Sequence, residues 1–427
     1  MRIGLIVGTS LGVLCLAAGP ARSQGAGVPS RLSLADALRL AEQHNATLAA
    51  ARQQSLVAAA DVVGAAQRPN PVFGFSSEGL APGRSPAPGL WDGQELSFQL
   101  EQEIETAGRR SLRLRSAAAG AAAGRAGLAE TARQIRSEVE RAYYQLVLSR
   151  TEAGTAAEAL VEIDRVIGVN RAKYAQGEIS GGELRRLEVE RLRFTDDAFA
   201  AELATRHARS SLLALLGSAL LDQPIEPTET LGAPAAVPST ADAGALTARA
   251  LAGRADVAAA RHEQDRARSD LALQRALKRP NVTLAGGYRR DFGDQGVLFG
   301  VTVPLPLFDR NAGGITRADA EGRLADARLR LLEAVVSLEV RQALDQVDIA
   351  RQRVDVLERE YLTKAREARD SVAAAYRAGD AELIDFLDAQ RAFRDVRRAH
   401  ARALFDLRLS LSQLDAAVGV FPGGPLS

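Results

Sequence analysis

Aromatic residues are scarce in this chain, which has 12 Phe, 6 Tyr and a single Trp among 427 residues. Large compact cores depend on aromatic bulk, so the composition disfavours two or three ordinary globular domains. The sequence is instead rich in Ala, Leu, Arg and Glu. With helical periodicity, that composition is typical of long helices packed side by side.

Cysteine is almost absent, since the only one is Cys15. It lies inside an apolar run that follows Arg2 and ends before a small-x-small site at residues 21–23, which is the pattern of a secretory signal peptide. We therefore predict that residues 1–23 are cleaved. The residues before Cys15 do not match a lipoprotein signal. The mature chain would have no disulfide and no thiolate metal site.

Other functional signals are also missing. The net charge is +1 with acids and bases interleaved, so nucleic-acid binding is not supported. No later run of about 18 uncharged apolar residues predicts a transmembrane helix. No nucleophile elbow, phosphate loop or carboxylate pair predicts an enzyme, and no cofactor is expected. We expect no metal site, because the four histidines lie far apart without ligand spacing: His44, His207, His262 and His400.

What the sequence does contain is a long internal repeat. An Ala-rich helical stretch ends at Arg-Pro-Asn in residues 68–70 and again in residues 279–281, and alternating, strand-like sequence follows each time. Downstream, a Tyr-x-x-Gly segment occurs at Tyr174–Gly177 and at Tyr376–Gly379. The unit is far longer than a solenoid repeat, so the chain is a duplicated half.

Each half is predicted to contain the same elements. A helix starts after the cap Ser33 and runs to about residue 67, where proline ends it. A β-hairpin, a long proline-free helix and a shorter return helix follow. The first repeat spans 24–221, with the hairpin at 72–104, the long helix at 109–173 and the return helix at 183–217. After a Pro-rich linker at 222–242, the second repeat spans 243–427, with corresponding elements at 282–303, 314–375 and 380–417.

The long helices carry coiled-coil patterns. Apolar residues in steps of 4 and 3 predict a seam in the first repeat at Ile135, Val139, Ala142 and Leu146, and in the second at Ala320, Leu324, Ala327, Leu331, Ala334 and Leu338. Such helices would be rods of roughly 90–100 Å. The four strands of one chain cannot close a membrane barrel and an open sheet edge is not tolerated in lipid, so strands that enter a membrane require several chains.

The arrangement resembles the TolC family of outer-membrane efflux channels. The resemblance rests on the two Tyr-x-x-Gly tips, a Leu-x-Asp-x-Gln-like pattern at Leu387–Gln390 and the segment VPLPLFDRNAGGI. That segment is most similar to the heavy-metal, cobalt–zinc–cadmium branch. The resemblance implies a mainly α fold with a small β part. It further implies a homotrimer with an α-helical tunnel in the periplasm and a shared twelve-stranded β-barrel in outer-membrane lipid.

The resemblance also implies a passive conduit for divalent heavy-metal cations, with a periplasmic adaptor and an inner-membrane RND pump as partners. By resemblance, Asp385 and Asp388 correspond to the aspartates that form the channel gate, and Glu183 is their counterpart in the first repeat. The alternative interpretation is that they are ordinary solvated charges. Adaptor contact is transferred to the tips Tyr174, Gly177, Tyr376 and Gly379, whose glycines also suit tight turns. Some relatives have an arginine that latches the closed state at the position of Ala381. Any latch in this chain must therefore use another residue, with Arg377 and Arg185 as candidates.

Two alternatives stay open at this point. The same fold would serve drug or small-molecule efflux or type I protein secretion with a different pump. A periplasmic coiled-coil adaptor is the other alternative, although adaptors have one helical hairpin whereas this sequence has two. The aromatic residues Trp91, Tyr288 and Phe292 lie near the hairpin loops, where an interfacial belt would sit.

Overall fold

The computed structural model describes residues 30–78, 95–217, 223–232, 242–291 and 294–420. The predicted signal peptide, Trp91 and Phe292 lie outside these residues. The chain is mainly helical with one small antiparallel sheet, as predicted. Within the described ranges, no helix has both the length and the apolar character needed to cross a membrane.

The first repeat begins with the short strand β1 (Arg31–Leu32) and the helices α1 (Leu34–His44) and α2 (Ala46–Ala66). The strands β2 (Val72–Glu78) and β3 (Glu95–Ile104) follow. The hairpin of α3 (Arg109–Ala175) and α4 (Gly181–Leu216) completes the repeat. Since α3 has 67 residues, it is about 100 Å long.

The second repeat has the same order. The two-residue strand β4 (Glu226–Pro227) lies in the predicted linker and pairs in parallel with β1. The helices α5 (Ala243–Gly253) and α6 (Ala255–Ala276) lead to the strands β5 (Val282–Asp291) and β6 (Asp294–Thr302). The final hairpin consists of α7 (Ala312–Val356), α8 (Leu362–Ala378) and α9 (Leu383–Val418).

Three predicted helices are interrupted. One is the first helix of the second repeat, which breaks at Arg254, directly after Gly253, into α5 and α6. The other two breaks occur away from proline and glycine. The helix predicted from Ser33 to residue 67 breaks at Asn45, whose extended backbone ends α1 and whose side-chain oxygen caps α2 by accepting from Leu48 N at 3.0 Å. The helix predicted at 314–375 contains a π-helical turn at Leu357–Tyr361, between α7 and α8. Neither break has proline or glycine, which is why the sequence pattern did not predict it.

The residue at the break between α1 and α2 is Asn45, and the residue at the break between α5 and α6 is Arg254. The two have the same role in their repeats. Asn45 Nδ2 donates to Leu215 O near the end of α4 at 2.9 Å, and Arg254 Nη1 donates to Ala417 O near the end of α9 at 3.1 Å. Both contacts satisfy carbonyls that a helix end leaves without partners. The duplication therefore extends to the way in which each return helix is anchored.

The helices and strands form a layer with two different edges. The sheet order is β2-β3-β5-β6. Next to the sheet the helices are ordered α2, α3, α6 and α7, and towards the hairpin ends α4, α3, α9 and α8. First-repeat elements therefore form one edge (β2, α2 and α4), and second-repeat elements form the other (β6, α7 and α8).

The buried seams differ between the repeats in a way that the sequence did not reveal. In α3, the predicted residues Ile135, Val139 and Leu146 are buried. In α7, the predicted seam is wrong for the single chain, because Leu324, Leu331 and Leu338 are exposed. The residues that α7 buries are instead a second series in steps of 4 and 3: Val336, Val340, Ala343, Val347, Ala350 and Val354. Helix α7 thus has two apolar faces, one of them at the open edge.

The sheet has one apolar and one polar face. Phe73, Leu100, Gly286 and Phe299 are register partners, as are Phe75, Phe98, Tyr288 and Val297. Since paired residues point to the same side, these rows form an exposed apolar face. The other face bears six carboxylates and one cation: Glu78, Glu95, Glu101, Glu103, Asp291, Asp294 and Arg289.

A half-buried carboxylate in α9 predicts a pH-dependent stability. Burial and the nearby Glu140 raise the pKa of Asp415 to about 6, against a lowering by Arg136. A carboxyl whose pKa is raised by folding destabilises the fold when it ionises. Stability is therefore expected to fall as the pH rises from about 4 to 6. Asp415→Asn should stabilise the protein by about 1–2 kcal/mol at pH 7.5, after discounting for partial exposure, and by almost nothing at pH 4.

Thermal unfolding of both proteins in detergent at the two pH values measures this effect. Asp395→Asn, at an exposed position of the same helix, is the matched control. An equal change in stability at both pH values would contradict the prediction.

Candidate functional site

The two helical hairpin ends contain all the residues predicted from the sequence as gate or contact residues. In the first, Gly177 has φ of +77° and ends α3 with a reversed turn in which Glu178 N donates to Lys173 O. In the second, Gly379 has φ of +88° and Asp380 N donates to Ala375 O. Both glycines adopt the left-handed conformation that other residues rarely adopt, so the Tyr-x-x-Gly spacing is explained by the turn.

Glu183 and Asp385 have the same local environment. Glu183 accepts from Ser180 N at 3.0 Å, and Ser180 Oγ accepts from Glu183 N, which is a capping box at the start of α4. Asp385 accepts from Glu382 N at 3.3 Å and forms the corresponding box at the start of α9. Both carboxylates therefore satisfy a helix N-terminus, which is a structural role in addition to the predicted role in the gate.

Asp388 lies one turn further along α9 and is exposed. Its carboxylate accepts from Arg391 at 3.0 Å, and the same guanidinium contacts Glu190 of α4 at 2.5 Å. Glu190 is largely buried, whereas Asp388 is 61% exposed. The pKa of Arg391 is raised, first by its hydrogen bond with Glu190. This three-residue network joins the predicted gate aspartate to the first-repeat hairpin.

The two hairpin ends are also joined through Tyr376. Its hydroxyl donates to Asn170 Oδ1 of α3 at 2.9 Å, and its ring stacks on Phe386 at 5.2 Å. Burial raises the pKa of the Tyr376 hydroxyl, which keeps it a donor at neutral pH. Tyr174, in contrast, is half exposed and lies against Gly181. The two tyrosines of the repeat therefore have different environments.

The latch candidates from the sequence do not cross between hairpins. Arg377 donates to Ala373 O and Arg185 donates to Gly181 O, each within its own helix. Near the hairpin ends, contacts that do cross are made by Arg391 to Glu190 and by Tyr376 to Asn170. Further along α9, Arg394, Arg397 and Arg402 also cross, to Asp197, Glu158 and Glu152. A buried Glu in a helix of otherwise exposed charges gives no distinctive sequence pattern, which is why Glu190 was missed.

A groove of about 610 Å³ separates the two hairpins just above their ends. Arginines lie on its aromatic residues, with Arg369 at 4.1 Å from the ring centroid of Phe393 and Arg394 at 5.2 Å from that of Phe194. Arg394 also pairs with Asp197 of α4 at 2.7 Å. Cation–π and ion pairs thus continue the contacts between the hairpins upward from Arg391.

No metal centre is found among the described side chains, where no group of three or more His, Cys, Asp and Glu residues is arranged to hold an ion. His400 contacts only a single carboxylate, that of Glu358, at 3.0 Å. The site consists of turns, caps and ion pairs, an arrangement suited to holding two helical hairpins together or letting them separate.

Comparison with known proteins identifies where this arrangement occurs. Residues 246–420 match the family model described as outer membrane efflux protein. The chain is 25% identical over 323 residues to the cobalt-zinc-cadmium resistance protein CzcC of Cupriavidus metallidurans, which covers 75% of this chain and 76% of that protein.

Two solved structures show the same fold. The outer-membrane channel OprN superposes with a TM-score of 0.77 at 20% identity, over 92% of this chain and 91% of that one. The outer membrane protein VceC of Vibrio cholerae superposes with a TM-score of 0.74 at 20% identity, over 91% and 96% of the two chains. Both similarities extend over nearly the whole described chain.

Proposed function

The chain belongs to the outer membrane efflux protein family and is an efflux channel of the outer membrane, and from this premise we propose that it conducts divalent heavy-metal cations as a homotrimer. Channels of this family form trimers in tripartite efflux systems. The channel has no enzymatic role.

The proposed ring is supported by the two edges of the chain. Exposed apolar residues lie along both edges. The first-repeat edge has Leu56 and Val63 of α2 and Val189, Leu192, Phe199 and Leu203 of α4. The second-repeat edge has Leu324, Leu331 and Leu338 of α7. Because the edges differ, one edge of a copy must pack on the other edge of the next, and such head-to-tail contacts close into rings. Three copies with four strands each give one closed sheet of twelve strands.

The two faces of the sheet support an arrangement in which lipid contacts the apolar face and water the polar face. Open strand edges are not tolerated in the hydrocarbon region, and ring closure pairs β6 of one copy with β2 of the next. The carboxylates of the polar face would then line the conduit, where a ring of negative charge favours cations over anions.

The observation that carries the choice of cargo is the similarity to the cobalt-zinc-cadmium resistance protein over three quarters of the chain. In this proposal the ions pass through as cargo and are not held. A deletion strain tests it: loss of the gene should increase sensitivity to cobalt, zinc and cadmium, with restoration by the wild-type gene. Unchanged metal tolerance with increased sensitivity to organic drugs would favour the small-molecule alternative.

The adaptor and the inner-membrane RND pump are assigned by the same proposal. The exposed hairpin ends, with Gly177 and Gly379 at their turns, are the surfaces that would contact the adaptor. Asp385, Asp388 and Glu183 would surround the narrow end of the tunnel. The capping contacts of Asp385 and Glu183 orient these carboxylates, so that both roles are compatible.

Removal of Arg391 is expected to open the resting channel. Arg391→Ala deletes the connection between α9 and Glu190 and leaves the Asp388 carboxylate without its cation, so the three aspartates would repel more strongly. Single-channel conductance in planar bilayers should rise several-fold. Arg193→Ala is the matched control, since Arg193 contacts Glu190 from an exposed position at 3.3 Å. Unchanged conductance in Arg391→Ala would contradict the gate.

Cation preference of the conduit is expected to depend on the polar face of the sheet. Replacing Glu101 and Glu103 by glutamine removes six negative charges from a trimer. The reversal potential in a salt gradient should then shift towards zero, because fewer fixed negative charges remain in the conduit to repel anions. Gln295→Ala, on the apolar face, should leave it unchanged. An unaltered reversal potential in the double variant would indicate that these strands do not line the conduit.

A further inference from the structure

Within the chain, the two repeats meet at a well-defined junction between sheet and helices. The turn from β3 to α3 packs on the turn from α6 to β5. Thr106 N donates to Asn281 Oδ1 at 3.1 Å, and Thr106 Oγ1 donates to Pro280 O at 2.7 Å. Asn281 Nδ2 donates in turn to Glu103 Oε1 at 2.6 Å. The Arg-Pro-Asn motif of the second repeat is thus bound by the end of the first-repeat hairpin.

In the described part of the chain, the Arg-Pro-Asn motif of the first repeat receives a side-chain hydrogen bond only at its proline, where Gln102 Nε2 of β3 donates to Pro69 O at 3.1 Å. Asn70 is exposed, and its side chain makes no hydrogen bond among the described residues, whereas its counterpart Asn281 makes two. Asn70 directly precedes the β2 edge of the layer. Among the described residues, the Asn70 side chain is therefore an unused hydrogen-bonding group at this edge.

At the opposite edge, a segment follows β6 in the same way that the turn containing Thr106 follows β3. Residues 303–308 (Val-Pro-Leu-Pro-Leu-Phe) follow β6 and are apolar, yet Leu305 is 74% and Phe308 100% exposed. The two prolines restrict the backbone, and Asn311 anchors the end of the segment by donating to Gln274 O at 2.9 Å. A rigid, anchored apolar segment in water has little entropy to lose on binding.

The sheet register specifies which residues correspond. Val72 pairs with Glu101 and Thr283 with Thr302, and Val72 and Thr283 each lie two residues after the asparagine of the motif, so Leu307 occupies the position in the second repeat that Thr106 occupies in the first. The Leu307 N–H already donates to Leu305 O at 2.8 Å. Leu305 is the residue between the two prolines, and it has a backbone N–H where they do not. That N–H donates no hydrogen bond within the described residues. An unpaired donor after β6 and an unpaired acceptor before β2 therefore lie at the same end of the sheet, on its two open edges.

We propose that residues 303–308 of one copy bind the Arg68–Asn70 junction of the neighbouring copy. The contact joins between chains the same two segments of the repeat that Thr106 and Asn281 join within a chain, namely the end of a hairpin and the start of the next. It rests on the proposed ring, of which it is one specific contact. Leu305, Leu307 and Phe308 cover the exposed end of α2 and start of β2 on the neighbouring copy.

Cysteine cross-linking tests this contact, because Cys15 is the only native cysteine and Cys15→Ser leaves no other thiol. The test variant combines Asn70→Cys with Leu305→Cys, and a short bis-maleimide links thiols within reach. Dimer and trimer bands are expected in denaturing gels. Each single-cysteine variant should give none. Thr106→Cys with Asn281→Cys is the matched control, which should cross-link within one chain and give only monomer bands.

The native mass in detergent separates failure of this contact from failure of the ring. A trimeric mass without inter-chain cross-links, with the control pair linked, would overturn the contact and leave the ring. A monomeric mass would overturn both. Should the cysteine variant fail to fold, Trp91→Phe with Phe308→Trp provides a second readout. A blue-shifted emission unaffected by brominated lipid supports protein contact, whereas strong quenching places residue 308 in lipid and overturns the proposal.

Discussion

A Leu331→Glu variant is expected to fold as a single chain and to fail to form the trimer. Leu331 is 66% exposed and lies at the centre of the second apolar face of α7. In the proposed ring each copy would bury this carboxylate without a partner, and burying an unpaired ionised group is strongly unfavourable. The mass in detergent should be that of a monomer, and the strain should be as metal-sensitive as the deletion.

The conservative Leu331→Met variant is the control, because it keeps an apolar side chain of similar volume. It should assemble and restore metal tolerance. The helical content of Leu331→Glu, measured by circular dichroism, should match that of the wild type, since the buried seam of α7 is untouched. A trimeric mass for Leu331→Glu would show that this face of α7 is not a subunit interface.

This face of α7 also shows what sequence patterns contain and what they omit. Steps of 4 and 3 correctly predict a helix with an apolar face, and they occur twice along α7. The period does not state which series packs within the chain, because Leu324 to Leu338 and Val336 to Val354 are both acceptable seams. Only the position of α7 at the edge of the layer decides between them.

The hairpin ends could be predicted in type and place but not in their contacts. Glycine six residues before Glu183 and before Asp385 identifies a turn followed by a helix start. The two carboxylates were interpreted as gate residues, and the structure adds that they cap those helices. The network of Asp388, Arg391 and Glu190 links positions about 200 residues apart. Among so many exposed charges, no local pattern distinguishes the pair that is buried.

The second large effect is expected from a guanidinium at the centre of the second repeat. Arg254 is almost fully buried and contacts Asp256 at 2.7 Å, Glu339 at 2.6 Å and the carbonyl of Ala417 at 3.1 Å. Burial lowers the pKa of Arg254 and its two carboxylate partners raise it by more, so it stays charged. It joins three helices: α6 by Asp256, α7 by Glu339 and α9 by Ala417.

Arg254→Met is expected to destabilise the fold by about 3 kcal/mol, because the volume is kept while a half-buried carboxylate and a helix-end carbonyl lose their donor. Thermal unfolding in detergent measures the loss, with Arg249→Met, at an exposed position of α5, as the control. The loss should depend on pH. Burial raises the pKa of Asp256, and Arg254 lowers it further than burial raises it. The stabilisation by this pair is therefore present above the ordinary carboxyl pKa and disappears as the pH falls through the lowered value.

In strong acid the stabilities of the wild type and Arg254→Met should thus become more alike. A stability difference that is constant from neutral pH to strong acid would show that packing, not the ion pair, makes Arg254 important.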